Sequence, residues 1–460
     1  MITLPQVTSV IQSLMKPGEH LYLVGGAVRD ALLSKPNQDL DFVCTGDPRI
    51  IGRKLADKLS GASYMLDEER NACRVIVKNE QDGFLVFDFT QIRGQTLNDD
   101  LLERDFTINA IAIDLKNPSE IIDPLNGSKD LVEKWLRPCK ETSFIDDPLR
   151  GIRAIRYAVK YDLDIAPSTI DLLKSAIDNL SLISKERKRD ELFKILEIEK
   201  PASALELFAQ YNMLEHLSLS AIPSLHNALV RLKILTELTK SSNEENPGKP
   251  GIESKPNYLG SIFSENMRFL RERFDQVNLS GRSIRVLDAL ITLLWDLNEE
   301  EGAKAIEGLA LSREEQELVC ISLRHKCWIL DQFSSQKVPE RQFVYRYYQS
   351  LGIAGLDVAV LTLVEAVSNP SFDWGEAQRS ELGSFCQKLV EIFERNPEYV
   401  YPKLYLTGRD LMFEFDIPQG PRIGQLLEGL REQQAIGLIE NRTQANAWVD
   451  RQIQKGFIKG

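Results

Sequence analysis

Apolar positions recur along this chain in two different rhythms, and the change falls near residue 137. Before it, short apolar runs bounded by turn residues predict strands at Leu21–Val24, Leu40–Cys44, Cys73–Val77 and Phe84–Phe89. Helical spacing between them predicts helices at Ala27–Leu33 and Ile50–Leu59. The polar stretch Asn79–Gly83 separates two β-rich runs and reads as a hairpin turn. After Pro138 the pattern turns helical and stays so. Asp147-Pro148 opens a helix running to about Tyr161, with Pro at a favoured first position, and Ser168–Asn179 and Ser184–Glu197 follow. The fold class is therefore α+β, a small mixed sheet followed by an all-helical remainder.

A chain of 460 residues is too long for one core. The breaks in pattern divide it into residues 1–137, 138–200, 201–400 and 401–460. A polar, Pro/Gly-rich insertion at 241–258 interrupts the third, and Asn396-Pro397 with Tyr401-Pro402 precede the fourth. No apolar run reaches the roughly 18 residues of a membrane span, and the N-terminus lacks the basic and apolar regions of a secretory signal. Six scattered cysteines without CxxC pairs suit reduced thiols, so the expected location is cytoplasmic. Four histidines in no ligand spacing argue against zinc. The net charge of −12 excludes a generally cationic nucleic-acid binder but leaves room for a local basic stripe.

Chemistry concentrates first in LYLVGGAVRDALLSKPNQDLDFV, residues 21–43. Side chains alternate along a strand, so Asp39 and Asp41 share one face. Two ionised carboxylates so placed call for a cation between them, and carboxylates suit Mg²⁺, which also binds substrate phosphates. Gly25-Gly26 at a strand-to-helix turn lets backbone N–H groups approach a phosphate. Together these imply metal-assisted nucleotide transfer, with Asp88 in Val86-Phe87-Asp88-Phe89 either a third metal carboxylate or an ordinary strand-edge Asp.

Three further sets carry polar groups at telling intervals. Arg104, Asp105 and Asn109 lie within about one helical turn; they could serve a phosphate and a ribose, or form an N-capped helix with an internal ion pair. Asp123-Pro124-Leu125-Asn126-Gly127 reads as a turn joining two segments. Asp147 and Arg150 are three apart, as are Arg150, Arg153 and Arg156, which aligns them along one helix side. A carboxylate beside a guanidinium matches the amino donor and ring acceptor of cytosine or adenine; uracil and guanine present the reverse order. A mismatch would leave buried polar groups unpaired. Locally, an N-cap with a solvated arginine stripe fits as well.

The ordered set LVGGAVRD with DLDF, RDFTINAIA, DPLNGSKDL, DDPLRGIRAIRYA and KERKRDELFKIL, with LTGRDLM and GPRIGQLLEGL near the end, resembles the class II tRNA nucleotidyltransferase and poly(A) polymerase family, bacterial CCA-adding type. The resemblance implies a catalytic head (1–137), a base-selecting neck (138–200), a helical body (201–400) and a tRNA-binding tail (401–460). Asp39 and Asp41 would be the catalytic metal carboxylates, with Gly25, Gly26 and Arg29 near the triphosphate. Arg104, Asp105 and Asn109 would handle the ribose, and Asp123 and Gly127 would fall in a hinge. Asp147 and Arg150 would read the base, with Arg153 and Arg156 nearby, and Glu186, Arg187 and Glu191 would buttress that helix. Implied partners are tRNA, CTP and ATP, with Mg²⁺ as cofactor. Glu103 and Asp146 depart from the family's usual Arg and Glu. The connection from Asp88 to Leu101 is short, as in the CC-adding subtype, which leaves the terminal A to a separate enzyme. Poly(A) polymerase is the neighbouring alternative, although the mildly basic end WVDRQIQKGFIKG lacks that branch's strongly basic extension. A non-catalytic RNA-binding protein would be expected to have lost Asp39 and Asp41, and both are present.

Overall fold

The computed structural model describes residues 7–35, 37, 39–68, 71–78, 84–240 and 255–455. The expected hairpin turn at Asn79–Gly83 and residues 241–254 of the insertion lie outside them. The chain folds as two compact units, residues 1–191 and 192–460.

The first unit runs α1 (Val7–Leu14), β1 (Leu21–Val24), α2 (Gly26–Leu32), β2 (Asp39–Cys44), α3 (Pro48–Leu59), β3 (Ala62–Asp67), β4 (Ala72–Lys78), β5 (Phe84–Gln91), α4 (Leu97–Leu102), β6 (Ala112–Asp114), β7 (Ile121–Ile122), α5 (Gly127–Glu133), β8 (Trp135–Leu136), α6 (Ser143–Asp146), α7 (Leu149–Tyr161), β9 (Asp164–Ile165), α8 (Pro167–Ala176) and α9 (Lys185–Leu196). Seven strands form one mixed sheet in the order β3-β4-β5-β2-β1-β6-β7, and β8 pairs with β9. Only β2 and β5 run parallel within the large sheet; its other pairs are antiparallel.

Period-two alternation sorts β2 between the two faces of this sheet. Leu40, Phe42 and Cys44 enter a core with Ile11 of α1 and Ile51 and Leu55 of α3. Val43, on the opposite face, joins Val24, Leu101 and Ala112 in a smaller cluster, and Asp39 and Asp41 share that face. The entry to α3 is fixed by Asp47, whose carboxylate accepts from the Arg49 N–H, followed by Pro48 at the first turn.

β3 has no counterpart among the strands expected from sequence. Its residues Ala62–Leu66 are all exposed, so no apolar alternation marks it, and only its pairing with β4 makes it a strand. Among the described residues its other edge pairs with nothing.

The second unit is helical. Its helix Ala354–Ser368 is buried along almost its whole length, which explains its apolar composition on every side. Buried charges there are paired. Arg231 donates to Asp296 at 2.8 Å and to Glu365 at 2.8 Å, and Arg273 donates to Asp357 at 3.1 Å. Asp288 is the exception, buried with neither carboxyl oxygen hydrogen-bonded. Near the C-terminus, helices Gly408–Glu414, Pro421–Ala435 and Arg442–Gln454 enclose a small core of Leu406, Leu411, Leu426, Leu430 and Val449.

Candidate active site

Gly25 makes the turn from β1 into α2 at φ +69°, a backbone region that side chains other than glycine's rarely enter. A Cβ there would also stand 2.8 Å from Arg104 Nη1. The turn therefore requires glycine twice over, and it brings Arg104 against the backbone that precedes α2.

Next to it, strand register lines up a polar row across the sheet. Asp41 is flanked by Val24 on β1 and Asp88 on β5; Arg74 on β4 and Tyr64 on β3 continue the row. Arg74 holds both oxygens of Asp88, at 2.7 and 2.6 Å. Burial pushes the Asp41 carboxyl up to about 6; Arg104 opposes the rise, and Asp88 and Asp39 add to it. Asp39 is exposed at the start of β2. The expected three-carboxylate set is not assembled, because Arg74 occupies Asp88, and no cluster of three metal-ligating side chains forms among the described residues. Asp39 and Asp41 are the residues that could hold a cation, and their all-oxygen donors fit Mg²⁺.

Asp41, Asp88, Arg93 and Arg104 line a cavity of about 1100 Å³ together with Asp147, Arg150 and Arg187. Asp147 and Arg150, at the junction of α6 and α7, do not pair with each other. Asp147 accepts from Arg187 Nη2 at 2.8 Å and from the Leu149 N–H at 3.2 Å. Arg150 donates to Ser143 Oγ at 2.9 Å and to the Glu103 carbonyl at 2.8 Å. Glu103 and Asp146, the two departures from the family pattern, share a cation: Lys140 Nζ lies 2.8 Å from one and 2.9 Å from the other.

Most of the remaining expected site residues turn inward. Arg29, Asp105, Asn109, Arg156 and Glu191 are buried. Arg29 donates to Asn109 and lies 4.1 Å over the Tyr161 ring, and Asn109 donates to Asp105 at 2.9 Å. Asp105 accepts from Arg153 at 2.9 and 2.6 Å; Glu191 accepts from Arg153 at 3.4 Å and Arg156 at 2.9 Å. Burial works against an ionised Asp105, yet Arg153 and the hydrogen bonds hold its carboxyl below the usual range. Asp105, Asn109 and Arg29, expected beside ribose and triphosphate, thus belong to a polar core that ties α2, α7 and α9 to the segment before β6. Glu186 is exposed.

The turn at Asp123 is built for close packing. Asp123 accepts from the N–H groups of Gly127 and Ser128 at 2.7 and 2.8 Å. A Cβ on Gly127 would stand 2.0 Å from the Thr107 carbonyl oxygen, so only glycine fits. Asp130 then accepts from Thr107 Oγ1 at 2.7 Å, docking α5 onto the segment that carries Asp105 and Asn109.

Known proteins resemble this chain in sequence and in fold. Residues 21–137 match the Poly A polymerase head domain, and residues 162–229 the probable RNA and SrmB- binding site of polymerase A. A CC-adding tRNA nucleotidyltransferase of Geobacter sulfurreducens is 28% identical over 96% of this chain and 94% of its own length. The chain carries the head domain of the poly(A) polymerase family and is similar over nearly its whole length to tRNA nucleotidyltransferases. It is a nucleotidyltransferase. Among family members, an A-adding tRNA nucleotidyltransferase of Deinococcus radiodurans is 27% identical over 93% of this chain and 94% of its own. In fold, the chain is similar to a CCA-adding enzyme solved with ATP (TM-score 0.66, 23% identity, 98% of this chain and 96% of that one). It is also similar to the Thermotoga maritima CCA-adding enzyme complexed with tRNA (TM-score 0.61, 23% identity, 98% and 97%).

Sequence reasoning passed over Arg74, Arg93, Asp100 and Ser143. Asp100 and Arg104 are four apart, the spacing of an ion pair at a helix end, which is a signal the sequence did contain.

Proposed function

We propose that this enzyme adds C to the 3′ end of tRNA from CTP and stops after the second, leaving the terminal A to a separate enzyme. The observation that carries the reading is one cavity lined both by Asp41 and, over a hundred residues on, by Asp147 and Arg150. The tRNA 3′-hydroxyl attacks the α-phosphorus of CTP, a phosphodiester forms and pyrophosphate leaves. Asp39 and Asp41 would hold Mg²⁺, which when bound neutralises developing charge and lowers the pKa of the attacking hydroxyl. Arg104, against the Gly25 turn, adds positive charge beside the phosphates. Asp147 accepts from the cytosine amino group while Arg150 donates to the neighbouring acceptor. Adenine can satisfy the same pair; uracil and guanine cannot. The second unit and α9 take the tRNA through its backbone and shape.

The stop after two additions draws support from the connection between β5 and α4. It consists of residues 92–96 alone and is tied down. Gly94 turns at φ +75°, and Asp99 accepts from the N–H groups of Gln95 and Thr96 at 2.9 and 2.8 Å while Thr96 caps α4. CC-adding enzymes of Geobacter and Synechocystis stand among the similar proteins. The test is a tRNA transcript lacking its tail, incubated with CTP and ATP together and resolved at single-nucleotide length. Products should end at CC. A full CCA end refutes the subtype, a long A tail indicates a poly(A) polymerase, and no extension refutes the enzyme reading.

A further inference from the structure

The side chains of Asp147 and Arg150 are aimed by different groups. Arg187 holds the Asp147 carboxylate. Arg150 presents Nη1 to Ser143 Oγ at 2.9 Å and Nη2 to the carbonyl of Glu103, the residue that ends α4, at 2.8 Å. Two anchors on different nitrogens fix the plane of a guanidinium, whereas a single one leaves it free to turn. Lys140 ties the second anchor to the chain that carries Asp147. The Thr107 N–H donates to the Arg137 carbonyl at 3.0 Å and the Cys139 N–H to the Asp105 carbonyl at 3.3 Å, so residues 137–140 run antiparallel beside the segment after α4. That register delivers Lys140 to Glu103, where Nζ donates to both carboxylate oxygens at 2.8 and 2.9 Å. The same nitrogen lies 2.9 Å from Asp146 Oδ2, and Asp146 directly precedes Asp147.

One ammonium thus joins two carboxylates from separate segments, and it is the element that makes their closeness tolerable. Without it, Glu103 and Asp146 would be like charges side by side, and their repulsion would push the Glu103 peptide away from α6. The carbonyl that aims Arg150 would move with it. Glu103 and Asp146 line the cavity, whereas Lys140 does not, so Lys140 acts on the site without touching what enters it. An arginine at 103, the family's usual residue, would repel Lys140 and could not be held this way.

We propose that Lys140 is a positioning residue for nucleotide choice: by bridging Glu103 and Asp146 it sets the plane of the Arg150 guanidinium against the Asp147 carboxylate. The assignment rests on the base-reading role given to Asp147 and Arg150 above, and it names a residue outside the cavity on which selection depends.

Competition between CTP and UTP for the first addition to a tailless tRNA tests it, because losses of fold or of tRNA affinity cancel in the ratio. Lys140→Met should lower the CTP-over-UTP preference by about two- to fivefold, the scale of partly exposed ion pairs, and Lys140→Arg should retain it. Glu103→Ala keeps the carbonyl, loses the tether and leaves no like-charge pair, so its preference should fall less. The triad is partly exposed, with Lys140 at 30% and Glu103 at 51%. Raising salt from about 50 to about 500 mM should therefore erode the wild-type preference and leave that of Lys140→Met level. An unchanged ratio in Lys140→Met, even with both nucleotides used more slowly, overturns the proposal, as does the same salt response in both proteins. If Arg150→Ala also leaves the ratio unchanged, the base-reading assignment itself falls, a separate failure.

Discussion

Glu191→Ala is the substitution that should test how far a buried ion pair supports α7. Glu191 is 2% exposed and accepts from Arg156 Nε at 2.9 Å and Arg153 Nη1 at 3.4 Å. Arg153 retains Asp105, at 2.6 and 2.9 Å. Arg156, itself buried, would lose this carboxylate and keep the Tyr157 ring, 4.4 Å from its guanidinium carbon. Breaking a buried pair by removing one partner costs about 3–5 kcal/mol. For a unit the size of residues 1–191, each kcal/mol lowers the midpoint by about 2–4 °C, so the transition should fall by roughly 6–20 °C. Glu191→Gln keeps an acceptor and loses only the charge, for about 1–2 kcal/mol. Calorimetry of the full chain can resolve one transition per unit if the units unfold independently, and the loss belongs to the first. Because the interaction is buried, added salt should change it little. A shift below 2 °C, or equal losses for Ala and Gln, would refute the buried-pair account.

Further predictions concern the reaction and the second unit. Asp41→Ala should abolish incorporation with the thermal transition retained; near-normal turnover would remove Asp41 from the metal pair. Arg150→Ala should lower the CTP-over-UTP preference by about 1–3 kcal/mol, roughly 5- to 150-fold, the scale on which hydrogen-bonded base contacts discriminate. Competition between the two nucleotides measures it, and an unchanged ratio would show that Arg150 does not read the base. Asp288 provides a pH test. Burial, with Asp357 nearby, holds its carboxyl well above the usual range, so the native state binds more protons than the unfolded state once pH exceeds about 4. Stability should therefore fall as pH rises above that value, and Asp288→Asn should flatten the decline; unaltered slopes in melts between pH 5 and 8 would contradict it.

Some of this architecture was written legibly in the chain. Leu21–Val24 and Leu40–Cys44 stand out as apolar runs bounded by turn residues, because both faces of these strands meet apolar clusters. β3 lacks that imprint: with Ala62–Leu66 exposed, nothing in the order of its residues separates strand from loop. The chemistry divides similarly. Asp39 and Asp41 could be placed on one face from spacing alone. Arg29, Asp105, Asn109 and Arg153 could not be assigned a direction, since a polar residue at helical spacing serves a buried network as well as a ligand. Only packing reveals that Asp105 faces Arg153. The role of Gly127 was equally hidden, because the Thr107 carbonyl that excludes a side chain is twenty residues away in sequence.

The free border of β3 also bears on how the protein behaves when concentrated. Tyr64, Met65 and Leu66 stand exposed in succession there, at 45%, 38% and 44%, and the strand contains neither lysine nor proline to discourage a second chain from pairing with it. Sheet extension between molecules is then the expected route of aggregation, beginning from folded protein without any need for unfolding. The liability sits at the sheet edge remote from β6 and β7, so a charge introduced at Met65 should improve solubility while leaving the carboxylates of β2 in place.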